Sequence, residues 1–162
     1  MDNSEHSTEC IARIELDEHT VIRRSPQIEH ERKVAIYDLL EENSFEPVSE
    51  GLCGPYSLHL SIVDDRIVFD IRDIDEVELT CFNLPTSSLR RIVKDYFMVC
   101  ESYMQAIKTH TPSQIEAIDM GRRGLHNEGA EMLRERLEGN VAIDTTTARR
   151  LFTLVCVLHI RG

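Results

Sequence analysis

Three consecutive runs of alternating residues constrain the fold of this chain more than any other feature of its sequence. Apolar residues occupy every second position from Tyr56 to Ile62, from Ile67 to Ile71 and from Val77 to Cys81. A period of two is typical of a strand with one buried face, and the short connections between these runs favour hairpins. The sequence therefore predicts an antiparallel meander of three strands, to which the alternation from Ala12 to Leu16 can add a fourth.

Helical patterns before and after the meander predict the layer that covers its apolar face. The predicted helices run from Pro26 to about Asn43, from Leu89 to Ile107, from Pro112 onward and from about Asp144 to Leu158. The third predicted helix begins with the capping-box signature Thr111-Pro112-Ser113-Gln114. Residues 44–55 lack periodicity and are predicted to form a surface loop. The last helix is apolar nearly all round, so we expect it in the middle of the helical layer or at an oligomer interface. An antiparallel sheet with a C-terminal layer of helices is an α+β fold.

Length and charge limit the domain organisation and the partners. The chain has 162 residues, and we expect one α+β domain over residues 10–162 after a flexible tail over residues 1–9. A net charge of −11 opposes binding to nucleic acid and to anionic membranes. The acidic start lacks the pattern of a signal peptide, and five cysteines without a C-x-x-C pair fit a reducing compartment. We expect a cytoplasmic protein.

The segment from Gly121 to Gly129 carries the candidate site. Three glycines within nine residues would cost a continuous helix about 3 kcal/mol relative to alanine. We therefore expect the helix to end near Arg123, Gly124 to adopt the left-handed conformation, and Asn127 to cap a new helix. The free N–H groups and the dipole of such a helix start favour an anion. The residues predicted to form this anion or partner site are Arg122, Arg123, His126, Asn127 and Glu128.

Three interpretations of this segment stay open. Glycines also allow a neighbouring backbone to approach closely, in which case the arginines pair with Glu116, Asp119 or a distant acid. Alternatively, the segment binds an acidic protein or a phosphorylated ligand, for which arginine has a suitable planar fork. In the third interpretation, His126 and Glu128 belong to a catalytic site.

Arginine is strongly preferred over lysine, with fifteen residues against three. Eight of them form the pairs Arg23-Arg24, Arg90-Arg91, Arg122-Arg123 and Arg149-Arg150. The second and fourth pairs lie in early helical turns, where the helix dipole disfavours cations. Either these pairs contact the acidic stretches 41–50 and 64–78, or several of them line a common basic groove around an acidic ligand.

The sequence contains no motif for a metal, a nucleotide or a cofactor. H-E-x-x-H, Walker and G-x-S-x-G patterns are missing, and the histidines lack ligand spacing. Cys81, Cys100 and Cys156 fall in phase with apolar neighbours, which favours buried thiols over reactive ones. We expect neither metal nor cofactor, and the sequence favours a protein without enzymatic activity while leaving an enzyme open.

Five stretches together resemble one known family. They are ERKVAIYDLLEEN (31–43), GPY (54–56), LRRIVKDYF (89–97), TPSQIEAIDMGRRGLHNEG (111–129) and ARRLFTLVCVLHIRG (148–162). They are similar to uncharacterised protein family 0262, an alphaproteobacterial family of unknown function, over nearly all of the chain beyond the N-terminal tail. The resemblance implies a bacterial cytoplasmic protein and carries no assigned reaction, cofactor or catalytic residue.

Three classes of function follow from these patterns. The favoured one is a non-enzymatic regulatory or adaptor protein that contacts an acidic or phosphorylated partner through Arg122, Arg123 and His126. The second is a small enzyme acting on a phosphorylated or carboxylated metabolite, with His126 as acid or base and the arginines holding the anion. The third is a structural subunit that forms a homo-oligomer through its C-terminal helix.

Overall fold

The structure, a computed structural model, describes residues 8–17 and 26–159. Its strands are β1 (Ile11–Leu16), β2 (Phe45–Pro47), β3 (Tyr56–Val63), β4 (Arg66–Asp73), β5 (Glu78–Pro85) and β6 (Val141–Ile143). Its helices are α1 (Pro26–Glu41), α2 (Arg90–Thr109), α3 (Pro112–Leu137) and α4 (Thr145–His159). The predicted α+β class is confirmed. In the described part of the chain, no helix is long and apolar enough to cross a membrane.

The predicted meander forms the main sheet, whose strand order is β1-β3-β4-β5. β3, β4 and β5 are antiparallel neighbours, and β1 adds the fourth strand in parallel to β3. Asp64 and Asp65 join β3 to β4 with φ angles of 50° and 60°, as a tight hairpin turn requires. Leu58 and Leu60 of β3 and Ile67, Phe69 and Ile71 of β4 are fully buried beneath the helices, whereas the other face is largely polar.

The side chains of the third meander strand that face the core are not the predicted ones. Val77 is 57% exposed and Cys81 is also exposed, whereas Phe82 and Leu84 point to the core. The pairing of β4 with β5 contains a bulge at Arg72, which shifts the alternation by one residue. The expectation that Cys81 is a buried thiol is therefore wrong.

A second, two-stranded sheet lies where a loop was expected. β2 and β6 pair antiparallel, and both Phe45 and Val141 are buried. Three-residue strands are too short to show a period, so the sequence did not predict them. The N-terminal residues 1–7 of the expected tail lie outside the described residues, whereas Glu9 accepts a hydrogen bond of 2.9 Å from the Tyr56 hydroxyl.

The last helix lies in the middle of the helical layer, as its apolar sequence predicts. α4 packs against α1, α3 and the sheet strand β3. Its fully or nearly fully buried side chains are Leu151, Phe152, Leu154, Val155, Cys156 and Val157. Contacts within one chain therefore already cover the apolar surface of α4.

The predicted break in the third helix is wrong, because α3 continues from Pro112 through Gly124 to Leu137. The predicted capping box at its start is present, since the Thr111 side chain accepts from Gln114 N–H and the Gln114 side chain accepts from Thr111 N–H. The continuous helix packs along both α2 and α4, and Leu125, next to Gly124, packs against the core. Burial of apolar side chains, at about 1.5–3 kcal/mol for a fully buried leucine, is large enough to offset the cost of about 1 kcal/mol for each glycine.

Gly129 has a packing role instead. It is buried against α4, and a Cβ atom added to it would overlap the ring of Phe152. Nothing lies within 4 Å of a Cβ added to Gly121 or Gly124. One of the three glycines therefore allows two helices to approach closely, and the other two are tolerated on the surface of a helix.

Gly129→Ala is expected to lower the free energy of unfolding by about 2–3 kcal/mol, because the new methyl group forces α3 and α4 apart. Gly124→Ala is the matched control in the same helix and is expected to raise it by about 0.5–1 kcal/mol. Urea unfolding of both variants measures the two changes. A destabilised Gly124→Ala variant would contradict the continuous helix, since alanine is strained in the left-handed conformation.

Candidate functional site

An open groove of about 590 Å³ lies between α1, α3 and α4, with Tyr96 of α2 at its base. We call it the arginine groove. Helix α3 contributes Arg122, Arg123, His126 and Asn127, and α4 contributes Arg149, Arg150 and Thr153. Helix α1 contributes Gln27, His30, Glu31, Val34 and Ala35. Two of the four arginine pairs therefore meet at one place, as the groove interpretation predicted.

The close contact at Gly129 positions these residues. Arg122 and His126 are four residues apart on α3, and Arg149 and Thr153 are four apart on α4, so each pair shares a helix face. Because α3 and α4 touch at Gly129 and Phe152, His126 reaches Thr153 across the helix boundary. The residues that the sequence predicted beside a helix start instead lie along the side of one helix, α3, where it packs against α4.

Arg122 and Arg123 are held by their own helix. Arg122 donates to Asp119 at 3.1 and 2.6 Å through Nε and Nη2, and Arg123 Nε lies 3.2 Å from the same carboxylate. The hydrogen bonds from Arg122 hold the pKa of Asp119 below its usual value. Arg122 also stacks on Tyr103, 4.8 Å from the ring centre. The pairing interpretation is therefore confirmed for these two arginines.

Arg149 and Arg150 differ from that pair because their donors are not fully used. Arg149 is exposed, and its guanidinium group has no partner among the residues that the structure describes. Arg150 lies 3.6 Å from Asp38 through Nη1, while its Nε is buried without a hydrogen-bond partner. The sequence analysis did not include this pair among the five predicted site residues. The sequence feature that points to the pair is its position in an early helical turn, where the helix dipole disfavours cations.

His126 forms part of the wall of the groove and is more than half buried. Its Nε2 lies 2.7 Å from the Thr153 hydroxyl oxygen, and that hydroxyl donates to the Arg149 carbonyl at 3.2 Å. Since the threonine proton is used in this way, His126 Nε2 carries the proton that Thr153 accepts, and Nδ1 keeps its lone pair. Tyr96 and Phe152 flank the imidazole at 5.4 and 5.5 Å between ring centres.

Burial and the surrounding charges keep His126 neutral. Burial, followed by the positive charges of Arg149, Arg150 and Arg122, lowers the pKa of His126 to about 4. At pH 7, about one molecule in a thousand then carries the imidazolium form. His126 is thus a neutral hydrogen-bonding group that lies close to three arginines, Arg122, Arg149 and Arg150.

Of the two remaining predicted site residues, Asn127 and Glu128, only the first lines the arginine groove. Asn127 lines the groove and is exposed, and it does not cap a helix because α3 is continuous there. Glu128 is exposed as well but does not line the groove. The structure therefore brings together four of the five predicted residues and adds Arg149, Arg150, Thr153 and the α1 side chains.

A second polar cluster lies on the open face of the main sheet. Glu76 accepts hydrogen bonds from Ser57 at 2.9 Å and Arg13 at 3.0 Å, and it lies 2.6 Å from His59 Nε2. Ser57 faces the same His59 nitrogen, at 3.4 Å, whereas in a catalytic triad the nucleophile and the acid bind opposite nitrogens. The cluster instead fixes the turn at Glu76, whose φ is +65°.

The thiols of Cys100 and Cys156 pack in the helical layer. Burial raises the pKa of Cys100 to about 11 and raises the pKa of the buried Cys156 well above its usual value. In the described ranges 8–17 and 26–159, no three histidine, cysteine or acidic side chains are grouped so that they could hold a metal ion.

Comparisons with known proteins identify relatives over nearly the whole chain. A family model described as Uncharacterised protein family (UPF0262) matches residues 8–161. A UPF0262 protein of Paramagnetospirillum magneticum is 60% identical over 152 residues, which cover 94% of this chain and 96% of the relative. Others are from Mesorhizobium japonicum, 56% identical with both chains fully covered, and Erythrobacter litoralis, 57% identical with 94% and 97% covered. No solved structure matches.

The low pKa of His126 predicts that the protein loses stability in mild acid. The unfolded chain binds a proton at this histidine near pH 6.5, whereas the folded protein does so only near pH 4, so stability falls as the pH drops below about 6.5. After allowance for partial exposure, we expect about 1 kcal/mol of this loss by about pH 5.5.

Urea unfolding at several pH values checks this dependence. His126→Gln keeps a donor for Thr153 and should reduce the pH slope, whereas His30→Gln, an exposed histidine of the same groove, serves as the matched control. Equal slopes in the wild type and His126→Gln would show that this histidine is not held neutral by the fold.

Proposed function

The chain belongs to uncharacterised protein family UPF0262, and we propose that it is a cytoplasmic, non-enzymatic regulatory or adaptor protein. In this proposal, the arginine groove contacts an acidic or phosphorylated partner. The family name assigns no activity, so the proposal rests on the chemistry of the groove.

The observation that carries the proposal is the unsatisfied pair on α4. Buried polar groups are almost always hydrogen-bonded, and a buried donor without a partner costs about 1–3 kcal/mol, or more when it is charged. Arg150 Nε is such a donor, and the guanidinium group of Arg149 next to it lacks a partner in the described part of the chain. An anion bound in the groove would give the exposed guanidinium group of Arg149 a partner, and the partly exposed Arg150 adds its charge beside it. Guanidinium groups bind carboxylates and phosphates through two parallel hydrogen bonds.

The charge of the groove also favours an anion. Among the residues that the structure describes, its four guanidinium groups lie near three carboxylates: Glu31 lines the groove, and Asp38 and Asp119 pair with its arginines. The groove is therefore locally positive in a chain with a net charge of −11. A local positive region on an acidic protein attracts an acidic group.

Binding agrees better with the state of His126 than catalysis does. A general acid or base works best when its pKa lies near the operating pH, and a pKa of about 4 makes His126 a weak base with almost no acid form at pH 7. Glu128, the other residue expected in an enzyme, is outside the groove.

The structural-subunit alternative loses its motivation. It depended on an apolar C-terminal helix available for sharing between protomers. Because the apolar side chains of α4 are buried within one chain, that helix offers no free apolar surface of this kind among its described residues.

Arg149→Ala is expected to weaken binding of inorganic phosphate by about tenfold or more, because one charge-assisted hydrogen bond is worth about 1.5–3 kcal/mol. The melting temperature should not change, since Arg149 is exposed and its side chain makes no contact that would be lost within the described chain. Isothermal titration calorimetry measures the affinity, and a thermal melt measures the stability.

Arg134→Ala is the matched control. Arg134 lies on α3, is similarly accessible and is paired with Glu131 at 2.7 Å, outside the groove. Its loss should leave phosphate binding unchanged. If Arg149→Ala and Arg134→Ala bind phosphate equally well, or if the wild type does not bind it, the groove is not an anion site.

A further inference from the structure

We propose that the arginine groove binds a doubly charged tetrahedral oxyanion, such as a phosphate monoester, and that His126 takes up a proton when this ligand binds. The inference rests on the function proposed above and specifies the ligand and its control. The proton comes from the solvent and adds to Nδ1 of the imidazole, and no other bond is made or broken.

His126 lies where a charge bound in the groove can change the protonation of its imidazole. It lines the same groove as Arg149 and Arg150, and it is linked to α4 by the chain of hydrogen bonds through Thr153 to the Arg149 carbonyl. Its Nε2 is occupied by Thr153, and its Nδ1 has no partner in the described part of the chain. An added proton therefore has one available place.

The charged and titratable groups around His126 are cationic on two sides. Arg122 and Arg123 lie on α3 with Asp119 between them, and Arg149 and Arg150 lie on α4. Helix α1 contributes His30 and Glu31, together with Asp38 beside Arg150, and α2 contributes Tyr96 and Cys100. Among these groups, the arginines are the charges that disfavour the imidazolium.

A doubly charged ligand reverses this balance. Within the described residues, four guanidinium groups against three carboxylates leave one uncompensated positive charge, which a singly charged carboxylate neutralises. A dianion adds a second negative charge, and a protonated His126 is the nearest means to balance it. Binding and protonation therefore favour each other, and by linkage each strengthens the other by the same factor.

The test is a sulfate titration of the full chain by calorimetry between about pH 7.5 and about pH 5.5. Sulfate is the probe because it stays doubly charged over this range, so only the protein titrates. If the bound anion restores His126 to its ordinary pKa of about 6.5, sulfate affinity rises about tenfold over these two pH units. The heat of binding should also depend on the ionisation enthalpy of the buffer, which reports proton uptake.

Two histidine variants assign the proton. His126→Gln should lose the tenfold rise between about pH 7.5 and about pH 5.5, whatever its affinity for sulfate at about pH 7.5, whereas His30→Gln should keep the rise. A thermal melt confirms that both variants are folded. Loss of the rise in His30→Gln, with its retention in His126→Gln, would overturn the assignment to His126.

The outcomes separate this inference from the proposed function. Sulfate binding that is independent of pH and buffer overturns the proton uptake but leaves an anion groove. The absence of sulfate binding at every pH overturns both. Parallel titrations with a phosphoserine peptide and with glycerol phosphate distinguish the source of the ligand: tighter binding of the peptide supports a phosphorylated partner protein, and tighter binding of glycerol phosphate supports a phosphorylated metabolite.

Discussion

The contact between Gly129 and Phe152 determines how the rest of the helical layer is arranged. Helices pack at a distance set by the side chains between them, and a glycine at the contact allows the closest approach. Because the ring of Phe152 occupies the space of a missing Cβ, α3 and α4 lie near enough for His126 to bond Thr153. The same approach brings the arginine pairs of the two helices into one groove.

The electrostatics of the groove follow from this packing. Guanidinium groups that are brought together must be paired, solvated or left to bind a ligand. Asp119 compensates the pair on α3 at short distance, whereas Asp38 only approaches one member of the pair on α4. This asymmetry leaves the exposed Arg149 as a donor for a ligand, with the charge of Arg150 beside it. Burial of the imidazole, followed by the charges of the arginines, keeps His126 neutral although it is hydrogen-bonded.

The parts of the fold with strong periodicity could be predicted from the sequence. The alternation in β3 and β4 and the helical repeat in α2 each involve enough residues to override local exceptions, and the capping box marks the start of α3. The phase of β5 could not be predicted, because a bulge is set by pairing with a neighbour. The three-residue strands β2 and β6 were missed because they are stabilised by each other and not by their own sequence.

The candidate site shows the same division between local and tertiary information. Glycine propensity predicted a break at Gly124, but the packing of α3 along α2 and α4, with Leu125 against the core, outweighs that local cost. The predicted residues Arg122, Arg123, His126 and Asn127 do share a groove, for a different reason. Arg149 and Arg150 belong to it only because α4 packs on α3, which no single stretch of sequence contains.

The most direct measurement of the central claim, that unsatisfied guanidinium donors on α4 bind an anion, is nuclear magnetic resonance of the arginine side chains during addition of sulfate. The Nε–H signals of Arg149 and Arg150 should move progressively and saturate together. The Nε–H signal of Arg134, which already donates to Glu131 at 3.3 Å, should stay in place. If the signals of Arg149 and Arg150 do not move, or if all arginine signals move alike without saturation, the groove does not bind anions as described.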